Sequence, residues 1–126
     1  MTSDVLLDSE DPLQVYVREV SRVPPLDAIE EAACLEHLRA ADERADDARR
    51  RLLEAHLHLV ITVAGRYRND RVHILDLIEQ GNKGLIHALD SLGECTEGSA
   101  PFWSYAEPFV ERSIAEVAND LEKPTH

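Results

Sequence analysis

Residues 75–85 read LDLIEQGNKGL, and this stretch decides the fold. Leu77, Ile78, Leu85 and Leu89 fall at helical spacing, while Asp76, Glu79, Gln80 and Asn82 continue at the same pitch along the other side. Gly81 and Gly84 stand three apart inside this helix, where each costs about 1 kcal/mol relative to alanine. A helix that keeps two such glycines gains close approach to a neighbour. The preceding segment, residues 52–68, LLEAHLHLVITVAGRYR, reads as that neighbour. Periodicity alone therefore describes a buried helical hairpin.

Working outward, residues 1–10 form an acidic tail without periodicity. Asp11-Pro12 starts a first helix, with Asp as N-cap and Pro at the first helical position, followed by Leu13, Tyr16, Val17 and Val20. Val23-Pro24-Pro25 ends it. Asp27 with Glu30 three residues on makes a capping box for a second helix, whose narrow stripe is Cys34, Leu35, Leu38, Ala41 and Ala45. Asp46 and Asp47 either continue that helix or begin another. A third helix, about residues 48–67, carries Leu53, Leu57, Val60, Ala64 and Tyr67, widened by Leu52, Leu59 and Val63; it reads as the most buried. Arg49, Arg50 and Arg51 open it against the helix dipole. The central helix covers about residues 74–91. After the polar loop 93–100 a last helix runs over about 101–121 with the stripe Ala106, Val110, Ile114, Val117 and Leu121, and Pro108 predicts a break or restart within it. No segment alternates like a strand.

A chain of 126 residues with 44 % hydrophobic residues is one domain with a real core. Its longest apolar run, residues 57–64, is interrupted by His58 and Thr62, and no secretory signal opens the chain, so the reading is a cytoplasmic protein without a membrane segment. Cys34 and Cys95 lack metal-type or redox spacing and read as reduced thiols. The formal charge of −12 opposes nucleic-acid binding, and its distribution is uneven. Eight of the thirteen Lys and Arg residues lie between positions 39 and 71, whereas residues 84–126 hold two bases against eight acids.

The chemistry of an enzyme is missing. His56 and His58 form an HxH pair whose members point in different directions on a helix. The other histidines, at 37, 73, 87 and 126, show no ligand spacing, and no phosphate loop or nucleophile elbow is present. The expectation is no catalytic residue, no metal and no cofactor.

The residues carry a further signal. The run 52–92, with DLIEQGNKGL at 76–85, resembles without gaps the core-binding segment of bacterial sigma factors of the sigma-70 family, and DPLQVYVREVSRVPPL at 11–26 is similar to the segment just before it. The resemblance covers roughly residues 11–120. It implies that the helical pair docks on a coiled coil of the clamp in the largest subunit of RNA polymerase core. Contacts carried over by position are Leu57 and Val60 on the third helix and Leu75, Asp76, Glu79, Gln80, Asn82 and Ile86 on the central one. Glu79-Gln80 reverses the family's usual Gln-Glu.

The stretch matching 93–120 melts the promoter in the family, using basic residues and aromatics on which exposed bases stack. Phe102, Trp103, Tyr105, Phe109 and Arg112 are the DNA-facing candidates here. However, the family's tryptophan pair is matched by Pro108 and Phe109, its following arginine by Glu111, its base-reading glutamine by Arg112, and its basic loop by GECTEGSA. Glu107, Glu111 and Glu116 recur where phosphates would lie.

The expected fold is all-α: a compact bundle of about five helices over residues 11–121 with the 52–92 hairpin at its centre, flanked by tails at 1–10 and 122–126. The expected function is a non-enzymatic, sigma-70-like transcription protein that binds polymerase core, with promoter DNA weakly bound or not at all. The alternative is a sigma-like decoy or adaptor that binds an anti-sigma or other regulator. Full members of the family continue into domains that read the upstream promoter element, so a chain ending at His126 is expected to be a lone domain of this type or a piece of something longer.

Overall fold

The structure is a computed structural model that describes residues 11–92 and 101–122. Six helices and no strand are present among them: α1 (Pro12–Ser21), α2 (Ala28–Ala40), α3 (Ala45–Ala55), α4 (Leu57–Arg66), α5 (Ile74–Asp90) and α6 (Phe102–Glu122). The tail expected at 1–10, residues 123–126 of the one expected at 122–126, the loop 93–100 and Cys95 lie outside the described residues, while Glu122 ends the last helix.

The caps follow the sequence. Asp11 accepts the Leu13 N–H ahead of Pro12, and Asp27 and Glu30 close a reciprocal capping box on α2. α2 ends at Ala40, earlier than its expected stripe, because Ala41 adopts a left-handed conformation (φ 53°). α3 then starts anew at Ala45, with Asp46 and Asp47 in its first turn. Arg49, Arg50 and Arg51 therefore do not face a helix N-terminus. Arg50 pairs with Asp47 and Glu54 along α3, and Arg49 reaches Asp90 at the far end of α5.

The expected third helix is two helices. His56 interrupts it (φ −113°, ψ 13°): the ring Nδ1 lies 2.7 Å from the Leu52 carbonyl oxygen, and the His56 backbone N–H turns to Leu53 instead. A side chain has taken the acceptor that would continue the helical ladder. The most buried helix is α5, whose Ile74, Leu77, Ile78, Gly81, Gly84, Leu85, Ala88 and Leu89 all face inward.

The pairing of α5 with α6 is the most extensive in the described structure. A methyl group built on Gly81 would lie 2.6 Å from Val60 Cγ1 and 2.8 Å from Ile114 Cδ1; one built on Gly84 would lie 2.5 Å from the Phe109 carbonyl oxygen. The segment 52–68 is thus only part of the neighbour that the glycines admit; the backbone of α6 is the other part. The break expected at Pro108 is absent, and α6 runs straight through it. Pro108 lies on the exposed side, while Ala106, Val110 and Ile114 are fully buried against the core on either side of it. That burial offsets the missing hydrogen bond, worth about 3 kcal/mol in an unsupported helix.

Candidate partner-binding faces

Two surfaces carry the predicted site residues: the outer face of α5 and the face of α6 next to α4. The N-terminus of α5 is fixed by His73, whose Nδ1 accepts the Leu75 N–H at 3.1 Å. Asp76 follows in the first turn, where the helix dipole favours a carboxylate. Asp76 and Glu79 are exposed and have no ion-pair partner among the described residues; Gln80 is half-buried beside them. Leu75 is half-buried and rests on the core, and Leu57 and Ile86 are also half-buried. Asp76, Glu79 and Gln80 thus offer free polar groups on a hairpin whose Leu57, Leu75 and Ile86 stay partly exposed.

Two predicted contacts are not open on this surface. Val60 is completely buried, packed toward Gly81, and its side chain is not available to a partner. Asn82 lies on the same stripe of α5, but its amide is covered by α1. Its Nδ2 is 3.5 Å from the Tyr16 hydroxyl of α1, and its Oδ1 is buried without a hydrogen-bond partner. Leaving such an atom unpaired costs about 1–3 kcal/mol.

The α6 face is arranged differently. Phe102, Tyr105 and Phe109 form a row with His56, with successive ring centroids 4.9, 6.2 and 5.2 Å apart. Phe102 is buried, and the Tyr105 hydroxyl donates to the Ser91 carbonyl at 3.2 Å. These three rings pack the protein against itself. Trp103, 48 % exposed, and the exposed Arg112 are not drawn into the row. Glu107 pairs with Arg66 of α4 at 3.1 Å, and Glu111 accepts the Tyr67 hydroxyl at 2.7 Å. That hydrogen bond, with partial burial and the carboxylate charge, raises the Tyr67 phenol above its ordinary pKa. Glu116 remains exposed.

Sequence reasoning missed four residues that build this face. Arg66 and Tyr67 are adjacent at the end of α4, and they meet Glu107 and Glu111, one turn apart on α6. The i, i+4 acids were visible in the sequence but read as facing phosphates; the cation and phenol that meet them were not foreseen. Glu31 and His56 carried no signal. Glu31 reaches from α2 to accept the Phe102 N–H at 2.8 Å, capping α6 across 71 residues, and its other oxygen is 3.7 Å from His56 Nε2. Among the described residues no group of three His, Cys, Asp or Glu side chains is placed to hold a metal ion, and no helix is long and apolar enough to cross a membrane. Cys34 is a buried free thiol.

No protein-family model matches the chain. Among curated proteins it is similar to the RNA polymerase sigma factor SigA of Lactococcus lactis subsp. cremoris, 36% identical over 121 residues, which cover 93% of this chain and 33% of that protein. SigA of a Bacillus species is 36% identical over 92% of this chain and 30% of its own length. The RNA polymerase sigma factor RpoS of Coxiella burnetii is 34% identical over 94% of this chain and 33% of its own length. The chain thus spans about a third of the length of the curated relatives it matches.

Proposed function

The chain belongs to the sigma-70 family over the segment it spans, and from that premise we propose that it is a transcription-initiation protein that docks on RNA polymerase core through the outer face of α5. The observation that supports this reading is the pair of exposed, unpaired carboxylates on α5, Asp76 and Glu79, on a helical hairpin that also leaves Leu57 and Ile86 partly exposed to solvent. A partner with a basic, partly apolar helical surface matches both features: apolar anchors supply buried area, and the carboxylates supply orientation and charge complementarity. The clamp coiled coil of the largest polymerase subunit is that partner. Promoter DNA is a weak ligand at most, because the acids of α6 engage Arg66 and Tyr67 and its aromatic row is spent on packing.

The test is calorimetric binding of the full chain to the isolated clamp coiled coil. The expected result is a dissociation constant of about 1 μM or tighter, abolished by combining Asp76→Ala with Gln80→Ala. Absence of binding by the unmodified chain would overturn the reading and direct the search to an anti-sigma or other regulator.

A further inference from the structure

We propose that α1 is a hinged strap that withholds Asn82 from the α5 docking face, with the Tyr16–Asn82 contact as its latch; this rests on the polymerase-docking reading above. Leu75, Glu79, Asn82 and Ile86 follow one another at spacings of four, three and four, so they form a single stripe along α5. Asn82 lies in the middle of that stripe, yet its Oδ1 is sealed from solvent and has no hydrogen-bond partner. Its Nδ2 has the Tyr16 hydroxyl at 3.5 Å, the outer limit of a hydrogen bond. Turning the amide over exchanges the two atoms and leaves the same deficit. The closed arrangement therefore half-satisfies a buried amide that an open arrangement would give to water or to a partner's donor.

The rest of α1 is built to let go. It has ten residues, too few to be stable as an isolated helix. Val20 is its one fully buried side chain and lies at the C-terminal end, just before Val23-Pro24-Pro25. Nearer the N-terminal end, Leu13 and Tyr16 pack against the core but stay half-buried, and Val15 is exposed. Firm anchorage at Val20, shallower packing at Leu13 and Tyr16 and a poorly bonded latch describe a hinge with Asn82 beneath its looser part. Opening completes the Leu75–Glu79–Asn82–Ile86 stripe, so a partner that binds the open form must first draw α1 away.

Two measurements on the full chain test this. In amide hydrogen exchange read by mass spectrometry, α1 should show protection of only about tenfold against about a thousandfold or more in α5. Tyr16→Phe, which keeps the ring and removes the hydroxyl, should speed exchange in α1 while leaving α5 unchanged. In calorimetry against the clamp coiled coil, Tyr16→Ala should bind about tenfold more tightly, the gain expected when the competent form rises from about a tenth of the molecules to nearly all. Adding Asn82→Ala should cancel that gain. Protection of α1 equal to that of α5, or a Tyr16→Ala protein with α1 freed and no tighter binding, would overturn the strap. If no form binds the coiled coil, the docking reading fails. The strap is then decided by exchange alone: it stands if Tyr16→Phe loosens α1 selectively and falls if it does not.

Discussion

The outer face of α5 and the face of α6 next to α4 belong to consecutive, tightly packed helices, yet one is left open and the other is closed on its neighbour. On α5 the carboxylates of Asp76 and Glu79 have no ion-pair partner among the described residues, and Leu57 of α4 and Ile86 stay partly exposed. On α6 Glu107 and Glu111 are held by Arg66 and Tyr67, and Phe102, Tyr105 and Phe109 stack into a row with His56. A face whose groups are already satisfied gains little from a ligand, because each new contact must replace an existing one. The difference supports the proposed docking role of α5 and gives the α6 face a structural one.

The largest effect should come from the seam that joins the two faces. Gly84→Ala places its methyl group against the Phe109 carbonyl oxygen, a backbone atom that cannot step aside. The expected loss is about 2–3 kcal/mol in urea denaturation, even though alanine favours the helix. Gly81→Ala meets the side-chain tips of Val60 and Ile114 and should lose only about 1 kcal/mol. Gly65→Ala meets nothing within 4 Å and should gain about 0.5–1 kcal/mol. Equal effects at Gly84 and Gly65 would mean that α6 does not pack on α5 as described, and the contrast between the faces would lose its basis.

The open face is broken next. Asp76→Ala should weaken binding to the clamp coiled coil by about tenfold, while changing stability by less than about 0.5 kcal/mol, because the carboxylate is exposed and unpaired. A large stability loss would show that α5 uses this residue for its own fold and that the face is not free.

Much of this was legible in the sequence, and what escaped it has a common cause. Asp11, Asp27 and Glu30 act within three residues of the backbone they cap, and α5 follows its own periodicity, so local pattern located them. His56, Pro108 and the partner of Gly84 were misjudged, and the burial of Asn82 was not foreseen, because neighbours far along the chain decide their behaviour. A ring taking the Leu52 carbonyl splits a helix that periodicity would join. Packing against α5 carries α6 through a proline that propensity would make a break. The close approach at Gly84 comes from a helix later in the chain, and a tyrosine 66 residues away covers the Asn82 amide. For the α5 face, sequence located the helix and the residues that line its exposed side. For the α6 face it named the aromatics and acids but not the cation and phenol that occupy those acids.

The closed face can be opened in steps. Glu107→Gln with Glu111→Gln should cost about 1 kcal/mol, since one half-exposed ion pair and one hydrogen bond to a carboxylate are lost. Freeing Arg66 and removing two negative charges should also raise affinity for a single-stranded oligonucleotide at low salt, with the gain fading as salt rises. Glu116→Gln, at an exposed position, should contribute to that gain with no loss of stability. Stability unchanged in the double variant would mean that α6 is not held by these bonds. No gain in DNA binding at low salt would mean that charge is not what keeps DNA away.

The smallest effect follows from Tyr67. Its hydroxyl donates to Glu111, and ionising the phenol would set two negative charges against each other, so its pKa in the folded protein lies above the ordinary 10.0. A raised value in the folded state means that the bond's contribution is complete below the ordinary tyrosine range. It is lost as pH rises from there through the raised value, because the unfolded chain releases its proton first. Urea denaturation should therefore show a decline beginning near pH 10 that Tyr67→Phe shares only in part, with the two proteins differing by a constant amount below about pH 9. Glu111→Gln should flatten the same part of the curve, since a neutral amide no longer opposes the phenolate. Identical alkaline profiles for the original chain and Tyr67→Phe would remove Tyr67 from the closure of α6 and leave Arg66–Glu107 as the bond between these two helices on which the contrast with α5 rests.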